Sequence, residues 1–176
     1  GSHLTTTLRS AGVRPFLIPR PNAALPEIDG ADCASPWATP EALAAQLTRL
    51  ENPVILNLAG HFVNQHTSAD LAQLVSGNFD FPLTIFEALK ISGHNRIVNV
   101  GTTWEFSDSG IQMPRNLYAQ LKAANARCLE WYTSQASFRA VNLKLNDTFG
   151  GVDTRAKLLP LLKRNWIEKN KMQLQA

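Results

Sequence analysis

This chain has few cysteines, a small net charge and only short apolar runs. Its 176 residues include two cysteines, Cys33 and Cys128, which lie far apart and form no C-x-x-C motif. That spacing favours two reduced thiols over a disulfide framework or a redox centre. Apolar stretches such as residues 54–56 are far too short to cross a bilayer. Because the layout of a signal peptide is also missing, the sequence predicts a cytoplasmic protein without a membrane partner.

The charge balance is mild. The formal net charge is +3, and lysine and arginine form no block before the C-terminal tail. This small excess suits an anionic small ligand better than a nucleic-acid surface, so we expect no nucleic-acid partner. His61 and His66 follow residues 57–60 closely, but no third candidate metal-binding residue lies near them in the sequence. The sequence therefore predicts no metal site.

The size and composition are those of one globular domain. A hydrophobic content of 44% with 18% charged residues, over 176 residues, is enough to bury one sizeable core. We therefore predict a single domain over residues 1–176.

Segments with strand and helix patterns alternate along the chain. The predicted strands cover residues 13–18, 31–33, 54–60, 96–100 and 138–145, and the predicted helices cover 4–10, 40–50, 68–89, 116–135 and 157–166. This alternation is typical of the α/β class with a doubly wound parallel sheet, in which a run such as 54–60 is buried on both faces. Such a sheet normally begins with a strand, whereas this chain begins within a helix. We therefore expect a sheet that is incomplete at its N-terminus.

Tyr118 and Lys122 lie four residues apart on the predicted helix 116–135 and so share one face. In a cleft, the Lys122 ammonium would favour the phenolate and lower the pKa of Tyr118, which would make the phenol a general acid and base. A hydroxyl from Thr102, at the end of the strand 96–100, would then hold the reacting oxygen. The alternative is a solvated helix face without chemistry.

Four segments in the expected order resemble the extended short-chain dehydrogenase/reductases, specifically the NAD-dependent epimerase/dehydratase group that acts on nucleotide-sugars. They are residues 57–60 (NLAG), 99–102 (NVGT), 118–122 (YAQLK) and 144–150 (KLNDTFG). The resemblance covers nearly the whole chain and implies a Rossmann-type NAD(P)-binding domain. It also implies a homodimer, because the helix that carries the tyrosine commonly forms the dimer seam in this group.

The resemblance implies an enzyme that transfers a hydride between a nicotinamide and a sugar carbon, usually C4, in deoxy-sugar or surface-polysaccharide synthesis. Thr102, Tyr118 and Lys122 are the implied catalytic residues, and Thr103 is the implied substrate contact and alternative hydroxyl. In 4,6-dehydratases an Asp-Glu pair follows the catalytic Thr, whereas Thr103-Trp104 follows it here. That difference disfavours dehydration and leaves reduction or epimerisation. A non-catalytic dinucleotide-binding regulator is the alternative function.

The resemblance also implies a cofactor site. Its residues are Gly1, Arg20, Asn57, Ala59 and Gly60, together with Tyr118 and Lys122. An acidic residue at the end of the second strand is typical of NAD enzymes, whereas an arginine suits the 2′-phosphate of NADP. Arg20 occupies this place, which favours NADP over NAD. The alternative is that Arg20 is merely solvated.

The two ends of the chain carry the remaining predictions. Gly1 resembles the third glycine of the family's phosphate-binding loop, although Gly1-Ser2-His3 is also the pattern of a cloning scar. Asp147 and Arg155 resemble the start of the substrate-binding region, and the family carries further residues after it. We therefore expect a truncated domain, which leaves an inactive fragment as a further alternative.

Overall fold

The computed structural model describes residues 2–21, 31–146, 148 and 158–168. Their helices are, in chain order, α1 (Ser2–Ser10), α2 (Pro40–Leu47), α3 (Leu71–Val75), α4 (Phe81–Ile91), α5 (Leu117–Gln135) and α6 (Leu158–Glu168). Their strands are β1 (Phe16–Leu17), β2 (Asp32–Cys33), β3 (Ile55–Asn57), β4 (Arg96–Thr102) and β5 (Arg139–Leu145). The chain forms two compact units, Gly1–Lys144 and Leu145–Ala176, and α6 belongs to the second.

The strands form two sheets. β1 and β2 pair in parallel, and a second sheet has the order β3-β4-β5. β3 and β4 are also parallel, with Ile55 opposite Ile97 and Asn57 opposite Asn99. Parallel strands joined through helices confirm the predicted α/β class with Rossmann-type topology.

A groove of about 1000 Å³ lies between β1 and β3. One side is formed by residues 13–20 and the other by residues 53–60, with Leu4 and Leu8 of α1 and Phe81 and Ile85 of α4 also in its lining. In the doubly wound strand order 3-2-1-4-5-6, β2, β1, β3, β4 and β5 take the places of strands 3, 2, 4, 5 and 6. The groove takes the place of strand 1.

Two helices begin at side-chain caps. Thr39 precedes Pro40, and its hydroxyl accepts from the Ala42 amide at 3.3 Å. Asn116 caps α5 in the same way, because its Oδ1 atom accepts from the Ala119 amide at 2.9 Å. This second cap fixes where α5 starts and therefore where Tyr118 and Lys122 lie.

The predicted helix 68–89 is one helical segment with a change of pitch. A 3₁₀ turn (Ser68–Asp70) leads into α3, and a π turn (Ser76–Asp80) joins α3 to α4. A π turn leaves backbone groups that an α-helix would pair, and π turns are frequent at functional sites. Gly77 lies in this π turn, so the helix changes pitch there without ending.

The core lies on the face of the β3-β4-β5 sheet that α2, α4 and α5 cover. Its members include Leu43, Leu47, Phe86, Leu89, Ile97, Leu129 and Tyr132. The expectation that residues 54–60 are buried on both faces is wrong, since Leu56 and Leu58 are 39% and 41% exposed. Side chains alternate along a strand, and among the described residues these three helices cover only the face that carries Ile55 and Asn57.

No helix among the described residues is both long and apolar enough to span a membrane. In the same part of the chain, no three histidine, cysteine or acidic side chains gather as metal ligands would.

Candidate active site

Lys122 connects α5 to the ends of two strands. Its side chain is buried, and Nζ donates to the carbonyl oxygens of Ala59 at 2.6 Å and Val100 at 3.0 Å. An ammonium carries three hydrogens. The described part of the chain provides acceptors for two of them. The third hydrogen is available to a ligand hydroxyl at the carboxyl edge of the sheet.

Burial changes the protonation equilibrium of Lys122. Desolvation lowers the pKa of Lys122 to about 8, the Glu105 carboxylate opposes this shift, and the Lys144 ammonium adds to it. Since a pKa near 8 lies above neutral pH, Lys122 remains mostly charged at pH 7.

Tyr118 is half-buried one turn before Lys122. Its ring packs edge-to-face on Phe62, with ring centroids 5.1 Å apart. Burial raises the pKa of Tyr118, and the Glu105 carboxylate raises it further. The expectation that Lys122 lowers the pKa of Tyr118 is therefore wrong in this structure. The Lys122 ammonium binds two carbonyl oxygens, while the phenol is desolvated beside a negative charge.

Thr102 is the last residue of β4 and is 8% exposed. Its hydroxyl oxygen accepts from the Trp104 amide at 3.2 Å and so caps the 3₁₀ turn Thr103–Glu105. A hydroxyl oxygen that accepts still has its hydrogen to donate. Thr102 can thus offer a hydrogen bond to a substrate oxygen, while the half-buried Thr103 lies in the turn itself.

Glu105 is the last residue of the same 3₁₀ turn. Its side chain is 1% exposed, Oε1 accepts from the Thr102 amide at 3.0 Å, and Oε2 forms an ion pair with Lys144. The carboxylate is therefore buried with both oxygens engaged. It cannot serve as the solvent-accessible acid or base that water elimination needs.

The loop after β3 is held against the π turn by Asn78. The Asn78 side chain is fully buried, accepts from the His61 amide at 3.1 Å, and donates to the carbonyls of His61 and Leu74 at 2.8 and 2.9 Å. Asn78 therefore joins the loop after β3 to the helical segment that contains the π turn.

Gly60 leaves room between these groups. A Cβ atom at this position would lie 3.4 Å from both Asn78 Oδ1 and Lys122 Nζ. The small side chains of Ala59 and Gly60 thus let a ligand approach the backbone beside the Lys122 ammonium. Arg20 lies in the lining of the same groove as Ala59 and Gly60, and it is exposed. These residues fit a dinucleotide, since they combine small backbone contacts, one ammonium hydrogen and one exposed guanidinium.

Three side-chain amides connect β3, β4 and β5, of which Asn57 and Asn99 are buried and Asn142 is half-buried. Asn57 Nδ2 donates to Asn99 Oδ1 at 2.7 Å, and Asn99 Nδ2 donates to Asn142 Oδ1 at 3.3 Å. Asn57 Oδ1 also accepts from the Ala59 amide at 3.3 Å, which starts the turn of the loop. This amide ladder links the predicted cofactor residue Asn57 to the strand that ends at Thr102.

Three predicted site residues, Gly1, Asp147 and Arg155, lie outside the described residues. The structure brings Thr102, Tyr118 and Lys122 to the edge where β3 and β4 end, together with Asn57, Ala59 and Gly60.

Sequence reasoning missed four residues of the site, namely Phe62, Glu105 as a buried anion, Asn142 and Lys144. An asparagine at an inward position of three successive strands is a signal that the sequence does carry.

The sequence model of the NAD dependent epimerase/dehydratase family matches residues 1–174 of this chain. The chain belongs to that family. A CDP-abequose synthase from Yersinia pseudotuberculosis is 31% identical over 160 residues, which make up 90% of this chain and 56% of the relative. This member of the epimerase/dehydratase family therefore spans little more than half the length of the curated relative that it matches.

Solved structures of two nucleotide-sugar epimerases share the fold. UDP-N-acetylglucosamine 4-epimerase from Bacillus cereus matches with a TM-score of 0.77 and 15% identity over 98% of this chain and 60% of its own. UDP-glucose 4-epimerase from Brucella ovis in complex with NAD matches with a TM-score of 0.69 and 15% identity over 82% of this chain and 47% of its own. Identities this low establish the common fold of the epimerase/dehydratase family and nothing finer.

Proposed function

We propose that the protein is an NAD(P)-dependent reductase or epimerase that moves a hydride at C4 of a nucleotide-sugar in deoxy-sugar synthesis. The observation that carries this proposal is the placement of Lys122, whose ammonium joins the loop after β3 to β4 while Tyr118 stands one turn away. The 31% identity with a CDP-abequose synthase supports a deoxy-sugar substrate.

The residues of this chain have separate roles in the proposed reaction. The Tyr118 phenol gives or takes the hydroxyl proton of the sugar, and the Thr102 hydroxyl holds the same oxygen. Lys122 directs its remaining hydrogen to a ribose hydroxyl of the cofactor. The bound nicotinamide supplies or accepts the hydride.

Reduction or epimerisation is favoured over dehydration by the surroundings of Glu105. A 4,6-dehydratase needs an acid and a base beside the catalytic threonine, and the nearest carboxylate here is buried against Lys144. Thr103 and Trp104 occupy the two positions between Thr102 and Glu105. NADP is the favoured cofactor, because Arg20 is exposed shortly after the carboxyl end of β1, where an arginine suits a 2′-phosphate.

The test is substitution of Tyr118 by Phe in the whole protein. We expect turnover of nucleoside-diphosphate 4-keto-deoxyhexoses, followed as NADPH consumption, to fall by 10² or more. Cofactor affinity should stay within twofold of the parent, because phenylalanine keeps the ring in place. Tyr132→Phe is the matched control, since its hydroxyl bonds Glu87 away from the site. Unchanged turnover in Tyr118→Phe would contradict the catalytic assignment.

A further inference from the structure

Glu105 is one of the few charged residues that the fold buries completely. Its side chain is 1% exposed, and a carboxylate in such a place requires partners for both oxygens. One partner is the backbone amide of Thr102 at 3.0 Å, and the other is the ammonium of Lys144 on β5. The carboxylate therefore joins Thr102, at the end of β4, to the neighbouring strand β5.

Gly101 makes room for this ion pair. A Cβ atom on Gly101 would lie 2.6 Å from Glu105 Oε1 and 3.0 Å from Cδ and Nζ of Lys144. Only glycine lets the carboxylate and the lysine side chain pass this close to the strand. The Lys144 ammonium also lies 5.8 Å from the centre of the Phe106 ring, which shields the pair from one side.

The same carboxylate acts on both functional groups of α5. Its negative charge raises the pKa of Tyr118 and raises that of Lys122. Lys144 acts on Lys122 in the opposite direction. Within the described residues, these are the charged groups that act on Tyr118 and Lys122, so a chain of alternating charges runs from Lys144 through Glu105 to Lys122.

We propose that Glu105, held in place by Lys144, is a positioning residue that orients the Thr102 hydroxyl and places a fixed negative charge beside Tyr118 and Lys122 before substrate binds. The capping turn sets the direction of the Thr102 side chain, and the carboxylate closes that turn through the Thr102 amide. Because the catalytic role of Thr102 belongs to the proposed function, this inference rests on it.

The charge effect is testable without turnover. Tyr118 and Tyr132 are the two tyrosines of the chain, so Tyr132→Phe leaves Tyr118 as the single source of phenolate absorbance. In that background, Glu105→Gln keeps an oxygen for the Thr102 amide and removes the charge. We expect the pKa of Tyr118 to fall, because a negative charge that raises it is lost, so that more phenolate absorbs at a given pH below the midpoint. An unchanged midpoint would refute the charge effect.

Glu130→Gln is the matched control for this titration. Glu130 also lies in an ion pair, with Arg127, but its side chain is 64% exposed and lies farther along α5. The same loss of one negative charge should leave the Tyr118 midpoint unchanged. A shift of equal size in Glu130→Gln would mean that net charge alone is responsible, which would overturn the proposal.

The positioning effect is testable through kinetics of the whole protein. Glu105→Ala removes the acceptor of the Thr102 amide, so we expect kcat to fall tenfold or more with KM within about threefold. Glu105→Gln should retain more of kcat than Glu105→Ala does. The pH dependence of its kcat should shift towards lower pH. Lys144→Arg should restore what Lys144→Met loses. A rise in KM with unchanged kcat in Glu105→Ala would overturn the positioning role.

The two sets of measurements separate this inference from the proposed function. A shifted Tyr118 midpoint in a protein that turns over no nucleotide-sugar would contradict the function and leave the charge relationship intact. Normal turnover with an unshifted midpoint would contradict the inference alone. If Glu105→Gln fails to fold, Gly101→Ala displaces the pair while keeping both charges, and it should lower kcat in the same way. Full activity in Gly101→Ala would then refute the positioning role.

Discussion

The Nζ atom of Lys122 lies 2.6 Å from the carbonyl oxygen of Ala59. This bond joins α5 to the loop after β3, and the bond to Val100 joins the same ammonium to β4. Lys122 therefore stabilises the carboxyl edge of the sheet before any ligand binds. Substitutions at Lys122 should affect both folding and turnover, and the two effects are separable by measurement.

Replacing Lys122 with methionine should destabilise the fold. The variant loses two charge-assisted hydrogen bonds but also the cost of burying an ammonium, so we expect a net loss of about 1–3 kcal/mol. Urea unfolding monitored by tryptophan fluorescence measures this loss. Lys90→Met is the control, because Lys90 is 46% exposed in its pair with Glu87 and should change stability by less than about 0.5 kcal/mol.

Stability should depend on pH through Lys122 with a defined sign. The pKa of Lys122 is about 8 in the fold and 10.5 when unperturbed, so the unfolded chain binds more protons between these values. The contribution of Lys122 to the unfolding free energy therefore rises with pH in this window, by up to about 3 kcal/mol. The raised pKa values of Tyr118, Tyr132, Cys33 and Cys128 act in the opposite direction at alkaline pH.

The quantity to measure is accordingly the difference in unfolding free energy between the parent protein and Lys122→Met at each pH. Effects of the tyrosines and cysteines cancel in that difference. We expect the parent protein to gain relative to the variant as pH rises from 8 to 10.5. A difference that stays flat or falls would show that Lys122 is not desolvated in the fold.

Substitution of Asn78 by alanine should cost about 2–4 kcal/mol, because three buried hydrogen bonds are lost and the His61 amide is left without its partner. The loss should lower the urea concentration at the midpoint of unfolding. The slope of the unfolding free energy against urea concentration should change little. Ser134→Ala removes two exposed side-chain hydrogen bonds and serves as the control. Equal stability of the two variants would contradict the role of Asn78 in holding the loop.

Phe62 should influence both Tyr118 and the substrate. It is 57% exposed and contacts the rings of Tyr118 and Trp104, which makes it a wall beside the phenol. Phe62→Ala should lower the pKa of Tyr118, since less apolar surface then desolvates it. It should also raise KM for the nucleotide-sugar severalfold. Ile111→Ala is the control, at a position 67% exposed, and should change neither quantity.

Arg20 should discriminate between the two nicotinamide cofactors. If its exposed guanidinium binds a 2′-phosphate, Arg20→Ala will weaken NADPH about tenfold, or about 1.4 kcal/mol, and leave NADH unchanged. Fluorescence titration of each cofactor in the whole protein measures both constants. Equal effects on the two cofactors would mean that Arg20 is simply solvated or binds a phosphate that they share.

Much of the fold follows from local sequence signals. The alternation of strands and helices gives the class, Asn116 gives the start of α5, and Thr39 gives that of α2. Gly77 and Pro82 correctly predict an irregular helix, although not a π turn. That choice depends on the tertiary contact of Asn78 with His61, which no local pattern contains.

The buried face of α5 is where sequence reasoning failed. The sequence suggests a buried stripe of Leu117, Leu121, Ala124, Cys128 and Tyr132, but only Tyr132 is buried and the other four side chains are half-buried. The helix instead buries the face that carries Ala119, Lys122, Ala123 and Ala126. Small side chains let the helix approach the sheet closely, and that approach brings the Lys122 ammonium to the strand ends. Hydrophobicity alone could not rank an alanine and lysine face above a leucine face.

The prediction about Tyr118 failed for a related reason. Its pKa is raised by burial and, to a smaller extent, by the Glu105 carboxylate, which is close in sequence to Thr102 and distant from Tyr118. Only the turn Thr103–Glu105 places that charge near the phenol. The spacing of residues along α5 identifies Lys122 as a neighbour of Tyr118. It contains no information about Glu105, which lies outside that helix.

The amide ladder of Asn57, Asn99 and Asn142 has a consequence for how the chain finds its strand alignment. A slip of one residue between β3 and β4 would turn apolar side chains to the wrong face, and hydrophobicity alone penalises it. A slip of two residues keeps every side chain on its own face, so hydrophobicity hardly opposes it. It would, however, place the Asn57 amide opposite Ile97 or Gly101 and leave a buried polar group without its partner. The ladder thus rejects the one misalignment that the hydrophobic pattern tolerates.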